Sequence, residues 1–138
     1  MEIFDNDLNA EVIGFGALNV DKLYSVESIV SKDEESFIKS ETDTPGGSAA
    51  NTISGLGCLG VDAKFIGKIG KDDVGEFFKT DIQSNNVEGQ LLSSDLYSGR
   101  CLVLVSPDGE RTMNTHLGAA SELQPDEVTS EMFGNYDI

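Results

Sequence analysis

The run Pro45-Gly46-Gly47-Ser48-Ala49-Ala50-Asn51 constrains this chain more than any other feature. Two adjacent glycines let the backbone approach a ligand where any Cβ would collide. From Ala49 to Leu59 there are few polar groups and enough helix formers to continue as a buried helix. Gly47 and Ser48 then fall at the helix N-terminus, where free N–H groups point outward. Asn51 follows one turn in, and helical side chains lean back toward the N-terminus. The spacing aims bare backbone, the positive end of a helix dipole and one carboxamide at the same small polar ligand. A double glycine alone also describes a tightly packed helix start, so the rest of the chain has to decide.

Glu11 to Leu18 reads as a buried strand and Ala63 to Ile69 as a second one. Asp72 or Asp73 can cap the helix that runs through Val74, Phe77, Phe78 and Ile82 and stops at Asn85-Asn86. A strand begins near Gly89. Gly99 to Val105 and Glu110 to Thr115 flank Pro107-Asp108-Gly109 as a hairpin. Leu123 to Met132 reads as a short helix with Pro125 in its first turn, and Tyr136 to Ile138 as the opening of a further strand. This alternation predicts an α/β layer on parallel strands. The polar segment Tyr24 to Thr42 does not fit it, and together with the hairpin it reads as a small second sheet.

With 138 residues the chain makes one domain of ordinary size, and 38% hydrophobic with 25% charged residues indicates a globular, soluble protein. The net charge of −16 argues against nucleic acid and against anionic membrane surfaces as partners. It also favours a neutral substrate over a phosphorylated one, since no basic cluster is present to hold phosphate. Cys58 and Cys101 are the two cysteines. Both lie in apolar segments and are expected to be buried free thiols, which suits a reducing cytoplasm. No Cys/His cluster has metal-ligand spacing. The acidic stretch Met1 to Asn9 lacks the apolar core of a secretory signal, and no apolar run reaches transmembrane length.

Asn19 and Asp21 are two apart at the end of the expected first strand, so period two places them on one face. Ligands usually bind at the C-terminal ends of strands in an α/β sheet. A carboxylate accepts from a hydroxyl, and a carboxamide both donates and accepts, so the pair suits a diol. Taken alone, Asn and Asp equally well form a turn. Without a ligand to meet, an Asn51 inside an apolar helix would be a buried polar group in need of partners. Cys101, Met113 and Thr115 lie on facing hairpin strands, and packing accounts for each. His116, the single histidine, has no Ser, Cys or metal partner in view, and Arg111 reads as an exposed strand charge. Gly14-Phe15-Gly16 lacks the third glycine of a dinucleotide fingerprint. Gly60 to Lys68 has the wrong gap for a phosphate loop, and no Ser or Thr follows the lysine.

Gly46-Gly47-Ser48-Ala49-Ala50-Asn51-Thr52-Ile53-Ser54, then Gly60, then Gly67-Lys68-Ile69-Gly70-Lys71-Asp72-Asp73-Val74-Gly75, resembles the N-terminal signature of the PfkB/ribokinase carbohydrate kinases. Gly16-Ala17-Leu18-Asn19-Val20-Asp21 resembles that family's first strand. Pro107 to Met113 and Leu117 to Ala120 resemble its lid hairpin and the return to the core. The resemblance covers nearly the whole chain in order. It implies an α/β, ribokinase-like three-layer fold, present as its N-terminal part over 1–138, with a small β-sheet lid near 22–42 and 99–115. It implies that Asn19, Asp21, Gly46, Gly47 and Asn51 bind the sugar, with lid contacts from Cys101, Met113 and Thr115, and a homodimer through the lid strands. The reaction it implies is transfer of the ATP γ-phosphate, with Mg2+, to a hydroxyl of a neutral sugar or nucleoside. Ser48 stands where some ribokinases carry lysine, which leans toward nucleoside or other sugar kinases. In the family the catalytic aspartate belongs to a Gly-Ala-Gly-Asp element of the C-terminal half. Gly118-Ala119-Ala120 is no such element, so no catalytic residue is assigned here and the chain alone is expected to be inactive. The alternative is a stand-alone module that binds a sugar or nucleoside or associates with itself.

Overall fold

Every residue from Ala63 to Gly70 is buried, and this stretch is the centre of the molecule. The computed structural model describes residues 11–134. Strand β4 (Asp62–Gly70) pairs in parallel with β1 (Glu11–Phe15) on one side and β5 (Val87–Ser94) on the other. Alternate side chains of β4 point to opposite faces. Ala63, Phe65 and Ile69 join Ala50 and Ile53 of α1 (Ser48–Cys58) and Phe78 and Ile82 of α2 (Asp73–Ser84) in one apolar core. Helix α1 lies so close to β1 that a Cβ on Gly14 would run into the Ile53 side chain.

The other face of β4 carries Lys64 and Lys68, both buried. Buried lysine is costly unless paired. Lys68 Nζ donates to both Glu127 carboxylate oxygens, at 2.6 and 2.8 Å, and to the Glu122 carbonyl at 3.2 Å. Lys64 lies 3.2 Å from Glu88. The carboxylate and the carbonyl that meet Lys68 come from two 3-10 turns, Pro125–Glu127 and Gly118–Glu122, which lie over this face.

A second sheet has the order β3-β2-β6-β7. Its strands are β2 (Asn19–Val26), β3 (Ile38–Gly46), β6 (Gly99–Val105) and β7 (Arg111–His116). Strands β2 and β6 are parallel, and the outer pairs are antiparallel.

Several expectations need correction. The first strand ends at Phe15, not Leu18. Leu18 continues the apolar run because it is 1% exposed in the core, but it does so in the crossing between the sheets. The polar segment forms strands that extend past Tyr24 and Thr42 at its outer ends, while residues 27–37 form no strand. The strand expected from Gly89 starts at Val87. Leu123 to Met132 is not one helix. Gln124 and Glu127 close a single 3-10 turn with a capping box, Val128 and Thr129 are extended, and a short helix follows at Ser130–Phe133. Cys101 is buried, but Cys58 is exposed on the outer side of α1, where its thiol donates to Asn85 Oδ1 at 3.3 Å. The strand expected at Tyr136 to Ile138 lies outside the described residues.

Candidate functional site

Asn19 and Asp21 open β2 rather than closing the first strand, so they belong to the second sheet. Period two still puts them on one face. The register extends that face across the sheet. Asn19 stands opposite Gly46 on β3 and Gly99 on β6. Thr44, Asp21, Cys101 and Thr115 form one transverse row, and Thr42, Leu23, Val103 and Met113 form the next. Five of the residues singled out from sequence therefore share a face: Asn19, Asp21, Cys101, Thr115 and Met113. Polar groups stand at its base and apolar ones further out.

Gly46 is needed at this base because of Asp21. A Cβ on Gly46 would lie 2.5 Å from Asp21 Oδ1 and 2.6 Å from Oδ2, so the carboxylate occupies the space a side chain would fill. Gly47 has a different role. Its φ of 109° is one that L side chains rarely adopt, and a Cβ there would strike the Ala17 carbonyl. It is also the N-cap of α1, with no side-chain cap bond, and no acidic residue occupies the first turn. The contrast with α2 is direct. There the Asp72 side chain accepts from the Gly75 N–H, and Asp73 and Glu76 sit in the first turn. The α1 N-terminus thus keeps its outward N–H groups and its dipole open beside the Asp21 carboxylate.

Asn51 is the fourth residue of α1, with its backbone N–H bonded to the Gly47 carbonyl at 2.9 Å. Its side chain is exposed. The α1 core face is carried by Ala50, Ile53 and Gly57, and Asn51 falls on the other side. Cys101 is 4% exposed and its sulfur accepts from the Thr115 hydroxyl at 3.1 Å. Met113 presents its side chain, at 54% exposure. His116 and Arg111 are exposed strand ends. Among the described residues, no group of three or more His, Cys, Asp or Glu side chains could hold a metal ion.

The opposite face of the second sheet borders a cleft of about 480 Å³ lined by Val20, Lys22, Asp43, Asp73, Val74, Phe77 and Arg100. Its Lys22 is 2.8 Å from Asp43, whose hydrogen bond raises the lysine pKa despite the opposing effect of burial. Beside it lies a network that sequence reasoning missed. Asp72 was visible only as a helix cap, yet it also accepts from the Ser98 hydroxyl at 2.7 Å and the Ser98 N–H at 3.0 Å. Arg100 Nη2 lies 3.4 Å away. Burial pushes the Asp72 carboxyl up, but the bonds from Ser98 and Gly75 and the charge of Arg100 outweigh it and hold it below its usual value. Ser98 gives no sequence signal, because a buried serine between a tyrosine and a glycine has no distinctive pattern.

The profile of the pfkB family carbohydrate kinases matches residues 9–138. An ATP-dependent ribose-1-phosphate kinase of Halopiger xanaduensis is 32% identical over 128 residues, covering 91% of this chain and 43% of that protein. An aminoimidazole riboside kinase of Salmonella typhimurium is 33% identical over 104 residues, covering 72% of this chain and 31% of that protein. A ribokinase from Cryptococcus neoformans, solved in complex with ADP, superposes with a TM-score of 0.79 at 26% identity, covering 94% of this chain and 40% of that one. The chain spans less than half the length of each of these proteins. Among the described residues, no helix is long and apolar enough to cross a membrane.

Proposed function

The chain belongs to the pfkB family of carbohydrate kinases and forms an N-terminal portion of the ribokinase fold; from that membership we propose that it is the substrate-recognition part of an ATP-dependent kinase acting on a hydroxyl of a neutral sugar or nucleoside. The observation that carries the proposal is the Asp21 carboxylate lying over Gly46 beside the uncapped N-terminus of α1. A carboxylate, a carboxamide and outward backbone N–H groups together accept from and donate to neighbouring hydroxyls of a ring. Asn19 and Asp21 hold the diol, Gly46 and Gly47 let the ring approach the backbone, and Asn51 bonds it from the helix side. Such a site contributes to phosphoryl transfer by fixing the acceptor hydroxyl in position.

The second sheet serves as the lid, with Met113 and Thr115 facing the substrate and Cys101 supporting Thr115. Among the described residues its outer strands β3 and β7 have one unpaired edge each, and they favour a homodimer through lid strands. ATP and Mg2+ belong to the whole kinase, and the Gly-Ala-Gly-Asp element that carries the family's catalytic aspartate does not occur in residues 1–138. The chain alone does not phosphorylate. Its two free thiols fit a cytoplasmic setting. A neutral acceptor fits better than a phosphorylated one, because the nearby Lys22 and Arg100 line the other face of the sheet and pair with Asp43 and Asp72.

The test is calorimetric titration of the chain with ribose, fructose, adenosine and ribose 1-phosphate. A neutral ligand is expected to bind, and Asp21→Ala is expected to weaken it about tenfold or more, the loss of a charged hydrogen bond. Binding of ribose 1-phosphate alone, or binding indifferent to Asp21→Ala and Asn51→Ala, contradicts the proposal. ATP-dependent phosphorylation by the chain contradicts its inactivity. The open edges support one second reading, a self-associating module without ligand, which predicts a dimer that binds none of the four.

A further inference from the structure

We infer that Asp72 is a positioning residue, which fixes the second sheet to the core and so sets where Asn19 and Asp21 stand. It lies between β4 and α2, in the core layer, yet most of its partners belong to the base of β6. Oδ1 accepts from the Ser98 hydroxyl at 2.7 Å and the Gly75 N–H at 2.9 Å. Oδ2 accepts from the Ser98 N–H at 3.0 Å and lies 3.4 Å from Arg100 Nη2. Ser98 is fully buried, and its hydroxyl oxygen accepts in turn from the N–H of Gly70, the last residue of β4. The start of α2 and the base of β6 therefore meet on one carboxylate, and the end of β4 joins them through the Ser98 hydroxyl.

The ladder carries this anchoring into the candidate site. Immediately after Ser98, Gly99 pairs with Asn19, Arg100 with Val20 and Cys101 with Asp21. A shift of the base of β6 moves β2 with it. Covalent connections alone do not fix the sheet as firmly. Two of the crossings between the layers pass through glycines at positive φ, Gly47 at 109° and Gly118 at 54°. Arg100 stands on the sheet side of the clasp, its guanidinium 5.3 Å from the Tyr97 ring centre. Its Nε is buried without a partner among the described residues, so the carboxylate and the ring are what hold it.

Residue-resolved amide hydrogen exchange on the chain tests the inference without any substrate. Asp72→Ser keeps an oxygen for the Gly75 N–H but is too short to reach Ser98 and Arg100 as well. The expected result is exchange about tenfold faster in β2 and β6, the scale of one charged hydrogen bond, with β4, β5 and Gly75 near their original rates. Acceleration by one common factor in both sheets, or confined to α2, overturns the inference. Should Asp72→Ser not fold, Arg100→Gln alters a half-exposed side chain on the sheet side only. It is expected to give the same pattern at smaller amplitude, and unchanged exchange in β2 and β6 overturns the inference.

Discussion

Asp21 and Gly46 constrain each other, and that pairing separates function from stability at single residues. Gly46→Ala places a methyl group against the Asp21 carboxylate, a side chain that can swing away. It is expected to weaken ligand binding about tenfold while costing less than about 1 kcal/mol of stability. Gly47→Ala meets a backbone carbonyl and an unfavourable φ, neither of which can yield. It is expected to cost about 1–3 kcal/mol in urea unfolding. Asp72 adds a pH signature. Its folded pKa is held below the unfolded value, so its stabilisation is complete above about pH 4, the unfolded carboxyl range, and is lost as pH falls through the lower folded value. Asp72→Asn is expected to flatten that acid limb in unfolding curves taken between neutral and strongly acidic pH. An unchanged limb contradicts the role assigned to its bonds.

At the scale of elements, the two glycines inside α1 make a matched pair. Gly57 packs where a Cβ would strike the Asn85 carbonyl, whereas nothing lies within 4 Å of the corresponding point on Gly55. Gly57→Ala is expected to destabilise by about 1–3 kcal/mol, and Gly55→Ala to stabilise by about 0.4–1 kcal/mol. Chemical denaturation of both variants checks the opposite signs. The same helix shows why some elements are legible in sequence. Gly47, the apolar positions Ala50 and Ile53, and the glycine past the end mark α1 locally, and Asp72, Phe78 and Asn85 mark α2. The first strand was misread because Leu18 is as apolar as a strand residue, and only the tertiary fold shows it buried in a crossing. The lysines of β4 give no warning of burial, since the acid that neutralises Lys68, Glu127, comes from a turn more than fifty residues later. For the candidate site the shared face is legible but its place is not: Asn19 and Asp21 lie two apart on one strand, yet that strand opens the second sheet instead of closing the first strand.

Across the whole molecule, one layer holds the apolar core and the other carries the proposed recognition face. The parallel sheet β1-β4-β5 is packed against two helices, while the β3-β2-β6-β7 sheet presents a polar base and an apolar outer part on one face. The account therefore rests on one location, the seam where β2, β3 and the start of α1 meet. The most direct measurement is an amide chemical-shift titration of the chain with ribose and adenosine. The account predicts the largest shifts at Asn19, Asp21, Gly46, Gly47 and Asn51 for at least one of them. Shifts centred on Lys22, Asp43 and Phe77, in the cleft on the opposite face, or no shifts at millimolar ligand, would contradict it.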